Sequence, residues 1–176
     1  MSFNINEIKS QLVGGGARPS LFQVRILNPA SSEADLVAPF MIKAASIPAS
    51  TVSAIDVPYF GRRIKVKGTR TYEDWNVTII NDENFRVRKA MEEWSKRLNT
   101  YSGNLLDFGS SAPAEYKSRA EVVQYGQTGD ILRTYLFEGI FPINIGAIDL
   151  NWETGDAIEE FPVTFAIDYW EVPGEA

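Results

Sequence analysis

The chain is 176 residues long, with 44 % hydrophobic, 12 % aromatic and 23 % charged residues, the composition of one globular domain rather than of a disordered or collagen-like polypeptide. It contains neither Cys nor His, which removes disulfides, thiolate nucleophiles, Cys- or His-ligated metals and Ser-His-Asp triads. The net charge of −6 is uneven: residues 1–119 carry 16 basic and 12 acidic side chains, whereas residues 120–176 carry one basic residue, Arg133, and 11 acidic ones. Such a balance argues against wrapping nucleic acid, which takes clustered Lys and Arg. No apolar run nears the roughly 20 residues of a bilayer crossing, and the first ten residues show no secretory signal pattern.

Residues 1–18 read as a flexible arm, because Gly14-Gly15-Gly16 is costly to order and no Gly-Lys-Ser/Thr follows to make a phosphate loop. From Ser20 the period becomes two: Phe22, Val24 and Ile26 alternate with polar residues as in a half-buried strand. Asn28 to Ser32 reads as a loop, and Phe40 to Ala45 as a second strand. Residues 51–70 predict a long hairpin, with Val52–Val57 and Arg62–Lys67 as its arms and the bend within Pro58-Tyr59-Phe60-Gly61. Arg63, Lys65 and Lys67 give it one basic, solvent-facing side, which would also discourage unwanted strand pairing.

Trp75 to Ile80 is the next strand. One helix follows over about 82–98, with Asp82 or Asn84 as cap, Glu83 near its positive end and Lys96 and Arg97 near its negative end. Val87, Met91, Trp94 and Leu98 form its packing stripe. Asn99 to Lys117 reads as loop. Strand patterns resume at Glu121–Tyr125, Ile131–Ile143 and Phe161–Val172. Seven or eight strands with one lateral helix and no βα alternation predict a mainly β protein, an antiparallel β-sandwich or partial barrel. The domain spans 19–172, and 173–176 form a short tail.

Catalytic and metal motifs are weak. Asn76-Val77-Thr78 is a glycosylation sequon inside a predicted strand. Asp149 to Gly155 resembles a calcium loop with its glycine one place late and no flanking helices. Glu73-Asp74, Glu92-Glu93 and Glu159-Glu160 are adjacent pairs; in a strand such neighbours point to opposite faces instead of across a cleft. The expectation is a non-enzyme without cofactor, metal or small-molecule ligand.

One set of blocks is specific. Tyr59-Phe60-Gly61-Arg62 and Lys67-Gly68-Thr69-Arg70-Thr71-Tyr72-Glu73-Asp74-Trp75 lead through Thr78-Ile79-Ile80-Asn81-Asp82-Glu83 into the helix. Gly139-Ile140-Phe141-Pro142, Asp156-Ala157-Ile158-Glu159-Glu160-Phe161 and Asp168-Tyr169-Trp170-Glu171-Val172 follow in order. In this arrangement, from Arg18 to Val172, the chain resembles the tail tube proteins of contractile-tailed bacteriophages, a family related to the Hcp tube of type VI secretion.

The resemblance implies assembly rather than catalysis. Hexameric rings would stack into a hollow tube inside a sheath, with baseplate and tail terminator proteins as further partners. The tube would penetrate the host envelope and conduct double-stranded DNA without reading its sequence. The protein would be a virion component assembled in the bacterial cytoplasm, without stable membrane association. Tyr59, Phe60, Gly61, Arg62, Arg63 and Lys65 would belong to the inter-ring stacking hairpin, and Gly14, Gly15, Gly16 and Arg18 to an N-terminal arm. Our own reading of the charges adds Asp149, Glu153, Asp156, Glu159 and Glu160 as acidic partners of that hairpin or as walls of a lumen that repels phosphate. A secretion-system or bacteriocin tube shares the architecture. A small-ligand-binding barrel, monomeric with an apolar pocket, is the alternative of another class.

Overall fold

A computed structural model of the chain describes residues 5–30, 39–107, 109, 112–153 and 155–174. Among these, the period-two segments form nine strands: β1 (Phe22–Ile26), β2 (Ile42–Ala45), β3 (Ser50–Tyr59), β4 (Arg62–Tyr72), β5 (Trp75–Ile80), β6 (Ser118–Tyr125), β7 (Ile131–Ile145), β8 (Glu160–Ala166) and β9 (Tyr169–Glu171). Helices α1 (Ile5–Gln11), α2 (Arg86–Leu98) and α3 (Pro113–Tyr116) accompany them.

Seven strands make one antiparallel sheet in the order β1-β6-β7-β8-β5-β2, with β9 also on β7; β3 and β4 pair only with each other. The fold depends on β7. Its residues Ile131–Ile140 face β6, Leu136–Glu138 face β9, and Phe141–Ile145 face β8, so one strand belongs to two half-sheets. The ladder shifts between Pro142 and Asn144, next to a proline that has no N–H to donate. The half-sheets enclose Val24, Ile26, Trp75, Phe137, Phe161 and Phe165, all nearly inaccessible to solvent, with Trp75 stacked on Phe137 at 4.6 Å. The sheet does not close: among the described residues β1 and β2 each keep an unpaired edge. The expected β-sandwich or partial barrel with a lateral helix is therefore the observed fold class.

The stripe on α2 is buried as its spacing predicts: Val87, Met91 and Trp94 are enclosed and Leu98 is half-buried, joined by Ala90. Trp94 lies 6.1 Å from Phe165 between centroids, and its Nε1 donates to the Tyr116 carbonyl at 3.0 Å. Asn28 Nδ2 donates to the Ala90 carbonyl at 3.1 Å, and Arg88 donates to the Gly146 carbonyl at 2.8 Å with its guanidinium over Phe161. The helix begins at Arg86, later than the predicted 82, because Phe85 is left-handed at φ 56°. Asp82 nevertheless serves the helix end: Oδ1 accepts the Arg86 N–H at 2.9 Å and Oδ2 its Nε at 2.8 Å.

The bonds from Arg86 hold the Asp82 carboxyl below its ordinary value of 3.8. A depressed carboxylate contributes stability that is present above its unfolded-state pKa and lost as pH falls through the folded-state value. Asp82→Asn should therefore lower the denaturation midpoint at pH 7, and the difference from the unsubstituted chain should shrink as the pH is lowered below 3.8, a trend that paired urea titrations would read.

Other boundaries also move. The strand predicted over Phe161–Val172 is two strands, because β7 turns between its half-sheets near Gly139–Phe141 and a continuous partner cannot follow both. The chain breaks at Asp168, whose N–H donates to the Glu138 carbonyl at 3.1 Å and whose carboxylate pairs with Lys117 at 2.6 Å. Gly139, at φ +70°, sits where a Cβ would run into the Asp168 side chain. Gly139→Ala should cost about 1–2 kcal/mol for the left-handed backbone alone, more once Asp168 is displaced, measurable as a lower urea midpoint. Further corrections are that β2 starts at Ile42 rather than Phe40, that Asn99–Lys117 contains α3, and that the strands number nine. The predicted arm contains α1, followed by a turn at Val13–Gly15. Ser31 and Ser32 of the predicted loop, Met1–Asn4 of the arm and the last two residues of the tail lie outside the described residues.

Candidate assembly surfaces

The hairpin of β3 and β4 is built from complementary strand registers. Ile55 faces Val66, Val57 faces Ile64 and Tyr59 faces Arg62, while Ala54, Asp56 and Pro58 face Lys67, Lys65 and Arg63. Alternation therefore separates a largely apolar face (Ile55, Val57, Tyr59, Ile64 and Val66, with Arg62 at its tip) from one that carries Arg63, Lys65 and Lys67. The predicted basic side is present, but it is not the only exposed one. The apolar face is open too, with Ile55, Val57, Tyr59, Ile64 and Val66 at 53, 44, 64, 55 and 44 % accessibility. A lone hairpin exposing both faces is marginal in water, and among the described residues only its root is packed.

The bend is tighter than predicted: β3 runs through Tyr59, and Phe60 and Gly61 alone turn the chain at φ 43° and 81°. Two left-handed residues in succession are what a type I′ hairpin turn requires. Glycine accepts this freely. Phe60 does not, and it is 89 % accessible at the tip, packed edge-on against Tyr59 at 4.7 Å. Tyr59 is thus the ring that Phe60 meets at the tip, and the rest of the Phe60 side chain faces solvent. The root, by contrast, is fixed: Glu73 N–H donates to the Ala49 carbonyl at 3.2 Å, Trp170 Nε1 to the Pro48 carbonyl at 3.0 Å, and Tyr72 packs against Trp170. Arg63 and Asp56 are 3.6 Å apart, a surface pair of small energetic weight.

Gly14, Gly15 and Gly16 all have positive φ, so the chain leaves α1 through conformations that other residues adopt poorly. Gly14, Gly16 and Arg18 line a cleft of about 330 Å³ against the β6–β7 turn, where Gln127 Nε2 donates to the Gly14 carbonyl at 3.2 Å.

The five acidic candidates divide. Asp149, Glu153 and Asp156 are exposed on the β7–β8 connection. Glu159 accepts from Asn81 Nδ2, and Glu160 pairs with Lys43 at 2.7 Å, so these two already have partners within the subunit. The same connection exposes Leu150, Trp152 and Ile158, an apolar group that sequence reasoning missed because it follows neither helix nor strand period. The hairpin's apolar face was readable in principle from the alternation of Ile55, Val57, Ile64 and Val66; what concealed its role was the assumption that an apolar face is buried inside its own domain.

Among the described residues, an antiparallel sheet with unpaired edges at β1 and β2, and a rooted hairpin exposing apolar residues on one face and cations on the other, leave strand edges and apolar surface uncovered in the single subunit. The sequence of residues 17–173 matches the phage tail tube protein family, and the chain belongs to that family. It is 38 % identical over 159 residues to tail tube protein gp19 of Enterobacteria phage T4, covering 90 % of this chain and 93 % of the relative. In fold it is similar to the tube-terminating cap of the anti-feeding prophage (TM-score 0.65, 14 % identity, 89 % of each chain). It is also similar to a chain of an extracellular contractile injection system, solved as the PVC sheath–tube complex in the extended state (TM-score 0.58, 14 % identity, 97 and 98 % of the two chains). The chain is thus a structural subunit of a phage tail tube.

Proposed function

We propose that copies of this chain close into hexameric rings, that the rings stack into a hollow tube within a contractile sheath, and that viral DNA passes through the bore during ejection. The observation that carries this reading is the uncovered apolar face of the β3–β4 hairpin, together with the free edges of β1 and β2. An edge strand is satisfied by pairing with a neighbour, and closing a ring removes every such edge at once. Stacking covers the hairpin, and a head-to-tail contact that does not close by rotation extends without limit. Sheath, baseplate and terminator proteins are the further partners.

The role is mechanical, not enzymatic. With a balance of −10 over residues 120–176, an anionic bore would hold no phosphate tightly, so a duplex would slide through it without sequence readout. Negative-stain electron microscopy of the purified chain tests the reading: hollow rods or stacked rings are the expected image, and monodisperse solid particles of one subunit's mass at every protein concentration would overturn it.

A further inference from the structure

The sheet register fixes where two exposed surfaces lie relative to one another. In β5 and β8, Ile80 faces Glu160 at one end and Trp75 faces Phe165 at the other. The connection 146–159 enters β8 at the first end, where the Asn81 N–H donates to the Glu159 carbonyl at 2.8 Å. The hairpin leaves the sheet at the second end, since β4 passes directly into Trp75 through Glu73 and Asp74. The length of β8, about 20 Å, separates them. One subunit therefore roots an extended hairpin at one end of β5 and β8 and carries the surface of Asp149, Leu150, Ile158 and Glu159 at the opposite end.

The two surfaces are complementary in charge and in apolar character. Residues 149–160 hold five carboxylates and no cation, whereas residues 50–72 hold five cations and one carboxylate. A cleft of about 380 Å³ opens in the acidic surface, lined by Asp149, Leu150, Ile158, Glu159 and Glu160. Leu150 and Ile158 are exposed there, as is the neighbouring Trp152. The hairpin tip offers the edge-packed ring pair Tyr59–Phe60 beside Arg62 and Arg63. Aromatic anchors in a pocket supply binding energy, and surrounding opposite charges set register.

We propose that the hairpin tip of one copy seats in the 149–160 cleft of a copy in the adjacent ring. Phe60 packs against Leu150 and Ile158, while Arg62 and Arg63, on opposite faces of the inserted tip, each meet carboxylates among Asp149, Glu153 and Asp156. This rests on the tube reading above and names the receiving surface for it. A hairpin root and an accepting surface at opposite ends of β5 and β8 make the contact head-to-tail, so each ring that accepts hairpins presents its own to the next.

The Cys-free sequence permits a direct test. Phe60→Cys/Ile158→Cys, assembled, oxidised and run on a non-reducing gel, should give a ladder of covalent multimers. Phe60→Cys alone, and Phe60→Cys/Tyr101→Cys with the second thiol on a distant exposed loop, should stop at dimers. Disulfides form only between Cα atoms within about 7 Å, so the ladder reports contact and not mere proximity. Rods seen by microscopy in the same sample without a ladder would overturn the tip-in-cleft contact and leave the tube intact. Neither rods nor ladder, from this variant and the unsubstituted chain alike, would overturn both. A charge-reversed chain, Arg62→Glu/Arg63→Glu, should lose its rods and regain them when Asp149→Lys/Glu153→Lys is added; failure to regain them would also count against the contact.

Discussion

The Trp94→Ala variant is expected to lose about 3–5 kcal/mol of folding stability, the cost of removing a buried tryptophan from a core that cannot collapse around the void. Trp94 has no accessible surface, lies against Phe165 and donates to the Tyr116 carbonyl. It holds α2 to β8 through Phe165 and to α3 through Tyr116. Alanine leaves a cavity under the helix and strips the Tyr116 carbonyl of its donor, which adds to the transfer term. Urea titration of the isolated subunit would show the loss as a lower midpoint at unchanged slope. A loss under 1 kcal/mol would mean that the helix is not a structural lid on the sheet.

The opposite pattern is expected on the hairpin. Val57→Lys/Ile64→Lys places two charges on the apolar face, in side chains that touch solvent in the free subunit. The subunit's own stability should change by under about 0.5 kcal/mol, as for ordinary surface substitutions. Assembly, however, should fail: each subunit forfeits on the order of 2–3 kcal/mol of apolar burial and must desolvate two ammonium groups at the contact. The loss multiplies around a ring. Sedimentation would show rods replaced by small species with an unaltered melting curve. Comparable destabilisation of the subunit by both variants would contradict a hairpin dedicated to assembly.

Much of this architecture was legible in the sequence because it rests on local periods. β5 and α2's stripe follow directly from apolar spacing, since Trp75, Val77 and Ile79 at every second position and Val87, Met91 and Trp94 at helical spacing each allow one burial solution. Boundaries set by distant contacts were not legible. The break between β8 and β9 exists because β7 changes partner near Gly139 and because Lys117, 51 residues away, holds Asp168. The late start of α2 follows from one left-handed residue, Phe85, whose backbone no local pattern announces.

The assembly surfaces divide in the same way. Tyr59, Phe60 and Arg62 stand at the hairpin tip as the sequence suggested. Glu159 and Glu160 have intramolecular partners that only folding reveals. The alternation of Ile55, Val57, Ile64 and Val66 was readable but their exposure was not, and Leu150, Trp152 and Ile158 come to notice only when the folded chain leaves them uncovered. An incomplete surface is a property of the subunit in three dimensions.

A helical reconstruction of the purified protein by cryo-electron microscopy decides whether this subunit is completed by its own copies. In hollow rods, the density for β3 and β4 should cross to a neighbouring ring, with Val57, Tyr59 and Ile64 enclosed against another copy of the chain. Rods in which that face of the hairpin still looks onto solvent, or a protein that never associates, would contradict it.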